Sequence, residues 1–213
     1  MMGVRAANPI TSRTHSLGRH RPRWTGAWAV TLAGQSILPG DWKGLANSGA
    51  IWLLFAALVG SRMPTSPWAI IAGVVVLVGA VIGYYAAARF SGAGAGVRIM
   101  AIWIGTAILG GPVYGLAGRW WRVGPDRERL LAIGLMGGIL AAEGVSTLLR
   151  IPAMAAAGWV ELAAGSLLTL MLGRTMRERL LGLAIVPVII LLGVIAYEVI
   201  AASSPRAERS GAS

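Results

Sequence analysis

Residues Trp68 to Ala88 form a run of twenty-one residues without a single Asp, Glu, Lys or Arg. An α-helix needs about 20 apolar residues to cross the hydrocarbon core of a bilayer. Six further apolar runs accompany it: Trp24–Leu38, Leu45–Val59, Ile99–Ala117, Leu130–Leu149, Ala153–Leu172 and Leu180–Ala201. None alternates polar and apolar residues with the period of two that a barrel strand requires. With 56% hydrophobic and 13% charged residues, the 213-residue chain cannot furnish the charged surface of a soluble domain. The expected fold class is all-α: a polytopic transmembrane helix bundle of about seven spans, or six if the first, short run does not cross.

The remaining segments give the expected organisation. Residues 1–23 read as a disordered basic tail, 24–202 as the transmembrane bundle and 203–213 as a disordered polar tail. Within the bundle, Gly79-x-x-x-Gly83 reads as a helix-packing groove, and Ala29-x-x-x-Ala33 as a contact for a membrane partner. Gly110-Gly111-Pro112 is expected to kink its helix. Gly118 to Arg129 and Gly173 to Arg179 read as basic loops. Trp120 and Trp121 mark the headgroup level.

The net charge of +11 would suggest nucleic acid in a soluble protein, but here the arginines sit between apolar runs. Sidedness in a membrane and contact with anionic lipid heads account for them, and no nucleic-acid partner is expected. Seven spans divide the Lys and Arg residues 13 to 6 between the two sides, whereas six divide them 11 to 8. The stronger bias favours seven spans in the cell membrane, with a cytoplasmic N-terminus. Cysteine is absent, and the only histidines, His15 and His20, lie in the N-terminal tail. No cofactor or metal site is expected, no hydrolase, zinc or P-loop motif occurs, and no enzymatic activity is expected.

What is left to carry function is a small polar set. Glu143, Thr147 and Arg150 share one helix face, and Glu161, Gly165 and Thr169 share a face of the next. Arg150-Ile151-Pro152 joins the two helices as antiparallel neighbours. Counting along each helix places Glu143 roughly 10 Å and Glu161 roughly 12 Å below the same outer surface. Gln35, Asn47, Asp41 and Glu198 fall in the same half of the bundle, and the other half is almost purely apolar. Asp41 reads as a turn residue, Asn47 as a helix cap or polar contact, and Glu198 as an acid that reaches water. An outward-facing polar pocket is expected, with Glu143, Glu161, Arg150, Gln35, Asn47 and Thr147 as candidate ligand-binding residues. A carboxylate in oil is expensive and usually functional or paired. Desolvation favours the neutral acid and a nearby guanidinium favours the carboxylate, so Arg150 is placed to hold one acid ionised. The plainer alternative is polar glue: a Glu143–Arg150 ion pair, and Glu161 bonded to a neighbouring hydroxyl. Trp28, Trp52 and Trp103 read as lipid-facing or packing residues.

The stretch Leu38-Pro39, followed by Leu45-Ala46-Asn47-Ser48-Gly49-Ala50-Ile51-Trp52 and by Tyr84-Tyr85, resembles a family of small uncharacterised bacterial multi-pass membrane proteins of actinobacterial type. That family is a domain of unknown function, so the resemblance implies a membrane bundle and no particular activity. There is a looser similarity to the substrate-binding subunits of energy-coupling-factor transporters, carried by Ala29-x-x-x-Ala33 and the outer polar cluster. It implies a small-solute site and a membrane partner. The expected function is therefore a membrane-embedded component that binds or transports a small polar or cationic solute. The alternatives are a scaffold whose carboxylates pair helices and, behind both, a lipid-modifying enzyme.

Overall fold

The computed structural model describes residues 48–90 and 96–203. Among them the chain forms six α-helices and no strand: α1 (Gly49–Gly60), α2 (Ser66–Phe90), α3 (Val97–Val123), α4 (Asp126–Arg150), α5 (Ala155–Leu172) and α6 (Met176–Ser203). A 3-10 turn, Pro152–Met154, joins α4 to α5. The five helices after α1 are long and apolar enough to cross a membrane, which fits a multi-pass membrane protein. The expected tail 1–23, the first span Trp24–Leu38 with Ala29, Ala33 and Gln35, and also Asp41 and Asn47, lie outside the described residues. So does the tail beyond Ser203.

The expected count of seven spans is not supported. The second expected span, Leu45–Val59, is a helix of 12 residues in α1. At about 1.5 Å per residue that helix is roughly 18 Å long, well short of a hydrocarbon core of about 30 Å. Two basic loops are also shorter than expected. Helix α3 continues through Trp120, Trp121 and Arg122 to Val123, leaving Gly124 and Pro125 before α4. Helix α6 begins at Met176, ahead of Arg177 and Arg179. Long arginine stems let a helix extend past the oil while the guanidinium reaches water. Helix α3 also runs unbroken through Gly110-Gly111-Pro112.

The interior is built from small residues. Among the described residues, ten of the fifteen buried apolar side chains are alanine. Leu109, Val75, Trp159, Leu191 and Leu192 are more than half exposed, as expected of a surface that meets lipid. In a bilayer, apolar burial gives helices little reason to associate, so close van der Waals contact through small residues takes its place.

Helix α4 is the hub: half of its apolar stretch is buried, against 11% for α6. Gly134, Gly138 and Ala142, four residues apart, meet Ile185, Ile189 and Gly193 of α6. The neighbouring stripe, Gly137, Ala141 and Gly144, meets Gly158, Glu161, Gly165 and Thr169 of α5. A second seam runs along α3. Gly111 and Gly115 receive Ala69, Gly73 and Val74 of α2, while Gly115 and Gly118 receive Gly60 and Ala57 of α1. A Cβ at Gly111 would lie 2.6 Å from the Val74 backbone, too close for any side chain. In the expected groove at Gly79-x-x-x-Gly83, Gly79 is exposed and a Cβ there would meet nothing within 4 Å, while Gly83 is half-buried. The reason is angular. Helix α2 turns its Ala69, Gly73 and Leu77 face inward, and Gly79 lies about 200° round the helix from Leu77.

The helices have two polar ends. One gathers Arg62, Arg119, Arg122, Arg129, Arg174 and Arg179, with Arg129 bridging to Asp126 at 2.7 Å and to Glu178 of α6. The other holds Ser48, Glu143, Glu161 and Arg150.

Candidate functional site

The N-terminus of α1 faces α4. The first backbone N–H groups of a helix have no partner within the helix, and their dipole attracts negative charge. Here Glu143 supplies both the acceptors and the charge. Its Oε2 accepts from Ser48 Oγ at 2.8 Å and from the Ala50 amide at 2.7 Å, and its Oε1 accepts from the Gly49 amide at 2.9 Å. Ser48, itself the N-cap residue, accepts from the Ile51 amide at 3.4 Å. The amides of residues 49–51 are thus all satisfied, two of them by a side chain more than ninety residues away in sequence. Ser48 is the N-cap of α1, and its hydroxyl serves α1 and Glu143 together.

Glu161 is buried in the seam between α4 and α5, 4% exposed. Its Oε2 accepts from Thr147 Oγ1 at 3.3 Å. Gly144 makes the room: a Cβ there would lie 3.0 Å from the Glu161 Cβ and 2.6 Å from the Gly158 carbonyl oxygen. Arg150 turns toward α6. It donates to Glu198 of α6 at 2.8 Å, at a half-exposed position. The expected Glu143–Arg150 ion pair is therefore replaced by Arg150–Glu198, because the α4 C-terminus leans on α6 and Glu143 is engaged by α1. Within the predicted cluster, Glu143 binds the start of α1, Glu161 binds Thr147, and Arg150 binds Glu198. Among the described residues, no group of three His, Asp or Glu side chains could hold a metal ion.

Beside this polar end lies a cavity of about 360 Å³ between α1, α2 and the first half of α3. Its walls include Trp52 and Leu53 of α1, Tyr84 and Tyr85 of α2, and Trp103 and Thr106 of α3, with Gly49 also in the lining. Tyr84 and Tyr85 stand edge to face, their ring centres 5.4 Å apart. Thr106 donates its hydroxyl proton to the Ile102 carbonyl at 2.9 Å, so it can offer the cavity only acceptor lone pairs. Gly49 connects the two features: its amide binds Glu143 at 2.9 Å, and Gly49 itself lines the cavity. Size and lining match a small-molecule site, mostly apolar with a few polar groups. Sequence reasoning assigned Trp52 and Trp103 to lipid or packing. The signal that could have found the cavity was the recurrence of aromatic residues at one end of three consecutive helices.

Comparison with known proteins adds a family and no activity. The model of a family of unknown function, DUF6518, matches residues 26–203, and the chain belongs to that family. No curated protein and no solved structure matches it.

Proposed function

We propose that this member of DUF6518 is a membrane-embedded binding or transport component for a small organic solute with an apolar body and a cationic head. One observation carries the reading: an aromatic-lined cavity of about 360 Å³ at the end of the bundle where Glu143 anchors α1. Tryptophan and tyrosine faces attract cations, the more strongly when water is excluded. A carboxylate bound to Gly49 of the lining adds favourable potential without forming a closed ion pair. Sidedness supports an outward-facing cavity, since the arginine-rich end belongs on the cytoplasmic side. The candidate solute residues shift accordingly, from Glu143 and Glu161 as a clamp to Trp52, Tyr84, Tyr85 and Trp103 together with Glu143.

A scaffold is the second reading. What favours it is that Glu143, Glu161 and Arg150 each have a partner inside the protein. A ligand screen by thermal shift, using aromatic and quaternary ammonium compounds on the purified full chain, separates the two. The binding reading expects at least one compound to stabilise the wild type and to lose its effect in Trp103→Leu and Tyr84→Leu. A screen in which no cation raises the melting temperature, with deletion of the gene leaving uptake of such compounds unchanged, returns the protein to the scaffold reading.

A further inference from the structure

The arginine-rich end carries a second feature, separate from the cavity. Helix C-termini leave carbonyl groups without partners and carry partial negative charge. Just past the end of α1, Arg122 Nη1 donates to the Ser61 carbonyl at 3.1 Å and Arg119 Nη1 to the Met63 carbonyl at 2.8 Å. At the end of α3, Arg174 Nη2 donates to the carbonyls of Trp121 and Arg122 at 3.2 and 3.1 Å. Three guanidinium groups from two segments are thus fixed along one edge around the last turns of α1 and α3.

These bonds occupy one terminal nitrogen of each arginine, and a guanidinium carries five N–H donors in a planar fork. Among the described residues, no carboxylate pairs with the side chain of any of the three. Asp126 pairs with Arg129, and Glu178 pairs with Arg129 through Oε1 while its Oε2 accepts from the Arg174 backbone amide at 2.8 Å. Arg122 and Arg174 are exposed, and Arg119 is half-buried. Around them the surface turns apolar at once. Val123 is 60% and Met171 is 72% exposed, while Trp121 is tied to the Leu172 carbonyl at 3.2 Å, where an indole at headgroup level would sit.

We propose that Arg119, Arg122 and Arg174 form a binding site for the headgroup phosphate of an anionic lipid, whose chains lie against the apolar surface beside Val123 and Met171. The site needs fixed positive charge, free N–H donors and an adjoining greasy wall, and all three occur together here. Guanidinium forks suit phosphate oxygens by geometry as well as charge. A free phosphate would use the arginines and leave the apolar wall uncovered, so the lipid is the occupant that accounts for both halves.

The test uses the full chain purified in a neutral detergent. Its thermal unfolding is followed while short-chain phosphatidylglycerol, short-chain phosphatidylcholine or inorganic phosphate is added. The proposal expects half-saturation by phosphatidylglycerol at lower concentration than by phosphatidylcholine, weakening as salt rises. It also expects about a fivefold loss of affinity for each of Arg119→Gln, Arg122→Gln and Arg174→Gln. The wild-type comparison of lipids and its salt dependence need no variant, so they decide the matter even if a substituted chain fails to fold. Equal response to the two lipids, or undiminished affinity in folded variants, overturns the site. Inorganic phosphate acting as well as the lipid overturns the lipid as its occupant. The cavity lies at the opposite end of the bundle, so either proposal can fail while the other stands.

Discussion

Replacing Glu143 with glutamine keeps the size of the side chain and removes its charge and one acceptor. Two oxygens now accept three hydrogen bonds, from Ser48 Oγ and the amides of Gly49 and Ala50, at 2.7 to 2.9 Å. A carboxamide has one oxygen, and its NH2 group would point at an amide donor. Hydrogen bonds to charged groups contribute about 1.5–3 kcal/mol, and a charge at a helix N-terminus adds up to about 2 kcal/mol when partly buried. Polar contacts inside membranes tend to measure lower, near 0.6 kcal/mol each. Weighing these, Glu143→Gln is expected to destabilise the protein by about 2 kcal/mol. Two companions give contrast. Glu161→Gln keeps an oxygen to accept from Thr147, so it is expected to be close to neutral. Glu198→Gln breaks an exposed pair with Arg150, worth about 0–1 kcal/mol. Reversible unfolding in mixed micelles gives the three values, and hydrogen exchange gives the location. Exchange at Gly49, Ala50 and Ile51 should quicken in Glu143→Gln alone. If Glu143→Gln unfolds like Glu198→Gln with those amides still protected, the capping argument is wrong.

Two further substitutions test the packing. Gly144→Leu drives a side chain into the Gly158 carbonyl and the Leu162 amide, both 2.6 Å from the Cβ position, and should separate α4 from α5. A loss of 3 kcal/mol or more is expected in the same unfolding assay, on the order of large core disruptions. Gly79→Ala meets open space on an exposed face, so it should stabilise α2 by about 0.5–1 kcal/mol through lost backbone freedom; a destabilised variant would mean that the face is covered.

The class of fold was legible because hydrophobic run length is a local property. The helix ends were less so. Arg119, Arg122, Arg177 and Arg179 suggested loops, yet each lies within a helix, α3 or α6. Glycine spacing showed that close packing must occur, but not where. Gly79 and the Gly111, Gly115, Gly118 series look equally suitable in sequence, and only the rotation of α2 about its axis leaves Gly79 on the outside. Among the candidate site residues, the Thr147–Glu161 bond falls between neighbouring helices, within reach of spacing arguments. Glu143 could be singled out as costly, but its partner at Ser48 to Ala50 follows from the arrangement of non-consecutive helices, and no local pattern encodes it. The cavity is harder still, because it is space left where three helices diverge.

The alanine-rich interior has a consequence for any attempt to take this protein out of its bilayer. Repainting the outward leucines, valines and tryptophans with polar groups would dissolve the surface, yet the inside would then have to hold itself together in water. A buried methyl releases only about 0.8 kcal/mol on leaving water, and glycine releases less, so a centre made of Ala57, Ala117, Ala132 and Ala141 supplies little of the usual drive to collapse. Such a soluble analogue would be expected to loosen into a mobile cluster of helices. The lipid around the native protein is in that sense a structural component, the medium in which close contact between small residues is enough.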